Sequence, residues 1–120
     1  SDIISLHVPL TQQTRNLIGQ RELRLMKPGA LLINAARGGI VDEEALAHAL
    51  KQGVIGGAGI DVLSKEPPVQ DNPMLQSSVP NLLLTPHTAW ASRQARQTRI
   101  NELKLNIEAY LGGSVRNQVS

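Results

Sequence analysis

Three polar side chains stand just past three apolar runs: Arg37 after ALLINAA, Glu66 after GAGIDVLSK and His87 after NLLLTP. A guanidinium forks around a carboxylate and brings positive charge to a neighbouring carbonyl oxygen. Imidazole titrates near neutrality, so it can give up a proton and take it back. A carboxylate behind the ring orients it and favours the charged form. Gathered at one place, the three groups can bind an anion and move a proton.

The elements must bring them there. Short apolar runs bounded by Gly, Pro and Asn read as buried strands of an α/β sheet. In an open parallel sheet the ligand crevice lies beyond the carboxyl ends of the strands, which is where these residues fall. The pattern predicts strands over Ile3–Leu6, Leu31–Asn34, Ala58–Leu63 and Leu82–Thr85. Thr14–Ile18 reads as a helical turn, and Gln20–Met26 as a short helix stopped by Pro28-Gly29. Gly38 and Gly39 supply backbone freedom for a sharp exit after Arg37. Asp42 is placed to cap a helix whose first turn holds Glu43 and Glu44. Ala45, Leu46, Ala49 and Leu50 form its apolar stripe, and Gly53 ends it. The stretch Pro67–Pro73 reads as an irregular loop with a turn near Met74. A long helix follows from about Thr88 to Leu111, with Ile100, Leu103, Ile107 and Tyr110 on one face.

Composition narrows the function. The 120 residues, 41% hydrophobic and 18% charged, suit one globular domain that buries roughly two-thirds of its unfolded surface. Cysteine is missing, which excludes disulfides and thiol chemistry. No apolar stretch approaches the roughly 18 residues of a membrane span, and no signal peptide heads the chain, so the expected compartment is cytoplasmic. His7, His48 and His87 lack metal-ligand spacing, and no metal is expected. Net charge is +2, with five basic against two acidic residues in 88–120. With a single Trp and a single Tyr there is no stacking platform, so that surplus reads as a solvated or inter-domain helix face rather than a nucleic-acid site. Ser64 and Ser92 have no nucleophile-elbow context, which argues against a hydrolase. A G-x-G-x-x-G phosphate loop is also missing: Gly56-Gly57-x-Gly59 leads into an apolar run and reads as close packing instead.

Four ordered segments carry a resemblance: HVPLTQQTRNLI, MKPGALLINAARGGIVDEEAL, GAGIDVLSKEPP and LLLTPHTAWAS. They resemble the D-isomer-specific 2-hydroxyacid dehydrogenases, and the last is most similar to the glycerate dehydrogenase (hydroxypyruvate reductase) branch. The resemblance implies the C-terminal half of a doubly wound, Rossmann-like NAD-binding domain over 1–87. Residues 88–120 would then be a helix and tail returning toward a substrate domain absent from the chain. It implies NAD or NADP as cofactor, a small 2-keto acid such as hydroxypyruvate or glyoxylate as substrate, and a homodimer.

Residue by residue, the resemblance makes Arg37 the carboxylate anchor, His87 the acid–base and Glu66 its partner. Asp61 would accept from the nicotinamide carboxamide, unless it only caps the following turn. His7, Val8, Pro9, Thr11, Asn34, Ala35, Ala36 and Ala89 would join Arg37, Asp61 and His87 along the cofactor. For His7 a plain loop role is nearly as well supported, and Trp90 could wall the pocket, meet a subunit or sit in a core. Two competing readings stay open: a nucleotide-sensing corepressor-like protein, and a piece that is inactive on its own.

Overall fold

Leucine- and isoleucine-rich runs become strands here because their alternate side chains find a helix layer to bury against. In the computed structural model, which describes residues 1–118, they form β1 (Ile3–Leu6), β2 (Leu31–Asn34), β3 (Gly57–Ile60) and β4 (Leu82–Leu84). All neighbours are parallel and the order is sequential, with Ile4, Leu32, Ala58 and Leu82 in register. The carboxyl ends of all four strands therefore line one edge.

Period-two alternation decides which side chains are buried. Leu6, Leu32, Asn34, Ala58 and Ile60 are buried, whereas Ile3, Leu31 and Leu83 are exposed. On the buried side lie α1 (Gln20–Leu25) and α2 (Glu43–Lys51), which pack against each other. Asp42 caps α2 by accepting from the Ala45 amide at 3.0 Å. Leu46, Ala47, Ala49 and Leu50 turn inward, and Gly53, at φ +64°, follows the helix end. Leu23, Leu32, Ile40, Leu46 and Ile55 make the most deeply buried part of the core.

Most strand and helix boundaries fall within one residue of expectation, and two differ by more. β3 stops at Ile60 rather than Leu63, because its partner β4 ends at Leu84 and Pro86 offers no amide to extend the ladder. Val62 and Leu63 stay buried outside any strand. The long helix α3 runs Arg93–Leu111 and starts five residues later than expected, since the Ser92 hydroxyl accepts from the Ala95 amide and sets the start. It belongs to a second compact unit from Thr88 onward, separate from the unit of residues 1–87. None of its described residues is buried, the Ile100–Tyr110 stripe included. No described helix is long and apolar enough to cross a membrane.

The core makes a direct prediction. Leu46→Ala should destabilise the protein by about 2–5 kcal/mol in urea unfolding, as a well-packed leucine site does when a cavity is opened. A loss under about 1 kcal/mol would mean that α2 is not seated on the sheet as described.

Candidate active site

The loop after β3 is organised by one peptide group. The Leu63 amide donates to Glu66 Oε1 at 2.9 Å, which turns the carboxylate back toward the sheet edge. The other oxygen, Oε2, faces His87 Nδ1 at 2.7 Å. A carboxylate can only accept, so Nδ1 carries the proton of that bond. The hydrogen bond from His87, then that from the Leu63 amide, holds the Glu66 carboxyl below the usual glutamate range. Glu66 is 37% and His87 45% exposed in the side chain, so solvent screens the pair and its value lies in orientation more than in stability.

His87 reaches this position through an unusual backbone. Its φ is +55°, a left-handed conformation that non-glycine residues rarely adopt, and its amide donates to the Thr85 carbonyl at 3.0 Å. Residues held this way cluster at functional sites. Beside it the Thr85 hydroxyl donates to Asp61 Oδ1 at 2.5 Å. Asp61 is buried, and its amide donates to the Asn34 carbonyl, so the exits of β2, β3 and β4 are tied in sequence.

The exit of β2 folds around Asn34. Its buried amide donates to the Arg37 carbonyl at 3.0 Å and accepts from the Ala36 amide at 3.1 Å, closing the 34–37 turn from inside. Ala35 is exposed at the rim of that turn. Arg37 is exposed as well, its guanidinium donating to the Ala36 carbonyl at 2.7 Å, and no carboxylate among the described residues pairs with it. β2 and β4 flank β3, so the Arg37 and His87 exits lie about 10 Å apart, two strand spacings. Gly38 seams the turn to the next loop: a Cβ there would lie 1.9 Å from the Leu63 carbonyl oxygen. Gly39 supplies the positive φ, at +79°.

Beyond β1, His7 Nε2 lies 2.8 Å from the Ser5 hydroxyl, and the Thr14 hydroxyl donates to the Pro9 carbonyl at 2.7 Å. His7, Val8, Pro9 and Thr11 are exposed along this part of the rim. Ala89 and Trp90 belong to the second unit. A pocket of about 370 Å³ opens against Asp61, Glu66 and His87, walled by Leu63, Pro67 and Leu75. No group of described residues could hold a metal ion. Structure thus joins Glu66 to His87 directly and sets Arg37 on the turn seamed to the loop of Glu66. Sequence reasoning missed Thr85, Gly38 as a contact and the Leu63 amide. Thr85 was reachable, because it follows Leu84, the register partner of Ile60, and so stands level with Asp61.

A carboxyl whose pKa is lowered in the folded state stabilises that state above the ordinary range, and the contribution fades as pH falls through the lowered value. The ¹³C titration of the Glu66 carboxyl should therefore have a midpoint below that of glutamate in an unfolded peptide. In His87→Ala it should move up. A midpoint indifferent to that substitution would remove the ring as its main cause.

Residues 1–89 match the D-isomer specific 2-hydroxyacid dehydrogenase, NAD binding domain. The chain is 53% identical over 119 residues to the glycerate dehydrogenase of Methylorubrum extorquens, covering 99% of this chain and 38% of that one. An acyclic imino acid reductase solved with NADPH and D-Arg superposes with a TM-score of 0.86 at 44% identity, over 100% of this chain and 38% of that one. The D-lactate dehydrogenase of Lactobacillus jensenii, solved with NAD+, gives 0.81 at 35% identity, over 100% and 39%. The chain spans little more than a third of these relatives. With the parallel sheet, the Glu66–His87 pair and the Arg37 turn at its edge, the chain belongs to the D-isomer specific 2-hydroxyacid dehydrogenase family.

Proposed function

We propose that this chain supplies the reacting edge of an NAD- or NADP-dependent dehydrogenase that interconverts a small 2-keto acid, such as hydroxypyruvate or glyoxylate, with its D-2-hydroxy acid. One observation carries the reading: an imidazole oriented by the carboxylate of Glu66, whose loop is seamed at Gly38 to the turn that presents Arg37. The donor set at this edge fits the nicotinamide end of a dinucleotide. Asp61 offers a buried carboxylate locked by Thr85, and Ala35 and Ala36 keep the β2 exit free of bulk. The rim residues His7, Val8, Pro9 and Thr11 are proposed to continue the groove. Asn34 acts there by shaping the turn.

When bound, the nicotinamide supplies or accepts the hydride. Arg37 exchanges its intraloop bond to the Ala36 carbonyl for the substrate carboxylate and places positive charge near the reacting carbonyl. His87 Nε2 protonates the nascent alkoxide oxygen in reduction and takes the proton back in oxidation. Glu66 steadies the ring and offsets its positive charge in the protonated form. Asp61 would hold the carboxamide of the nicotinamide by accepting from it.

Steady-state assays of the intact enzyme with hydroxypyruvate and NADH or NADPH test this. His87→Ala should lower kcat by about 10²–10⁴, the usual loss for a positioned acid–base. A loss below about tenfold would contradict the role. Arg37→Lys should raise KM and lower kcat, because a point charge cannot replace the fork; unchanged kinetics would take Arg37 out of the site.

A further inference from the structure

We propose that Glu43 is a positioning residue for the acid–base pair, its carboxylate clasping both ends of the loop that carries Glu66. Oε1 accepts from the Ser64 amide at 2.5 Å and Oε2 from the Asn72 side-chain amide at 2.7 Å. Residues 64–71, between the two contacts, are exposed and form no helix or strand. Little packing holds this segment, so its shape depends on its ends.

Both ends are well made. Ser64 follows the buried Leu63, whose amide fixes Glu66. Asn72 is buried, and its carbonyl oxygen accepts from the Met74 amide at 2.8 Å. That bond settles which way the Asn72 amide points: oxygen to the backbone, nitrogen to Glu43. Glu43 itself stands in the first turn of α2, a helix anchored in the core by Leu46 and Leu50. The helix N-terminus favours a carboxylate there whatever it touches, which is the purely structural alternative. What goes beyond it is the pairing of both oxygens with the two ends of one catalytic loop. The segment from Arg37 to Glu43 thereby meets the Glu66 loop twice, at Gly38 against Leu63 and at Glu43 against Ser64. Fixing the loop fixes Glu66, and through Glu66 the ring.

The proposal rests on Glu66 and His87 acting as the acid–base pair, and donor–acceptor matching gives it a test of its own. In the intact enzyme Glu43→Gln leaves one of the two donors without an acceptor. Asn72→Asp sets carboxylate against carboxylate. Combined, they match again: the new glutamine accepts from the Ser64 amide and donates to the new aspartate, whose other oxygen still accepts from Met74. Each single substitution should lower kcat by about tenfold with KM for the keto acid within about twofold, and the pair should recover most of that loss, as coupled neighbours do. The ¹³C midpoint of Glu66 should rise in both single variants and fall back in the double one. If a single variant does not fold, the double variant, with every donor met, still decides the matter. Lower Tm with unchanged kcat and unchanged midpoint, or a double variant no better than the singles, would overturn the clasp. The midpoint is read without substrate. Should His87→Ala leave turnover intact while the midpoint still follows the clasp, the reaction fails and the clasp stands.

Discussion

The site depends on the backbone of Leu63. Its carbonyl lies so close to Gly38 that no side chain fits between them, and its amide holds Glu66. One buried backbone unit thus joins the loop that presents Arg37 to the loop that orients His87. Backbone cannot yield as the end of a flexible side chain can, so the spacing of the two exits is set by main-chain contact. Parallel pairing supplies the rest, since β2, β3 and β4 deliver Arg37, Asp61 and His87 to one edge in sequential order.

The electrostatics follow from that frame. Glu66 and His87 are too exposed for their ion pair to add much stability. Yet both carboxylate oxygens are committed, one to backbone and one to the ring, which removes the rotational freedom that would blur the alignment. His87 also holds a left-handed backbone after Pro86. The surrounding contacts keep it there, and the ring is presented in the one direction that Glu66 can meet.

Much of this was legible in the residues. Apolar runs ended by a charged or imidazole side chain marked the strands and the edge, and Asp42 and Gly53 marked the ends of α2. Motif resemblance then assigned Arg37, Glu66 and His87 their roles. What could not be read depends on distances between segments far apart in the chain. Gly38 and Gly39 look interchangeable in sequence, but only Gly39 needs a positive φ, whereas Gly38 is required for space. β3 was expected to run through Leu63 because Val62 and Leu63 are apolar; burial without a strand partner keeps them inside while the ladder ends. The start of α3 turned on a single hydroxyl, at Ser92. Glu43 looked like a helix-dipole residue, and only the fold shows the two donors facing it.

The alignment of the ring by Glu66 is the claim from which the chemistry follows, and the ¹⁵N shifts of the His87 imidazole in its neutral form report it most directly. With the Glu66 carboxylate accepting at Nδ1, the neutral ring should carry its proton on Nδ1 rather than on Nε2. A ring protonated on Nε2 would show that Glu66 does not set its orientation, and the account would fail at its first step.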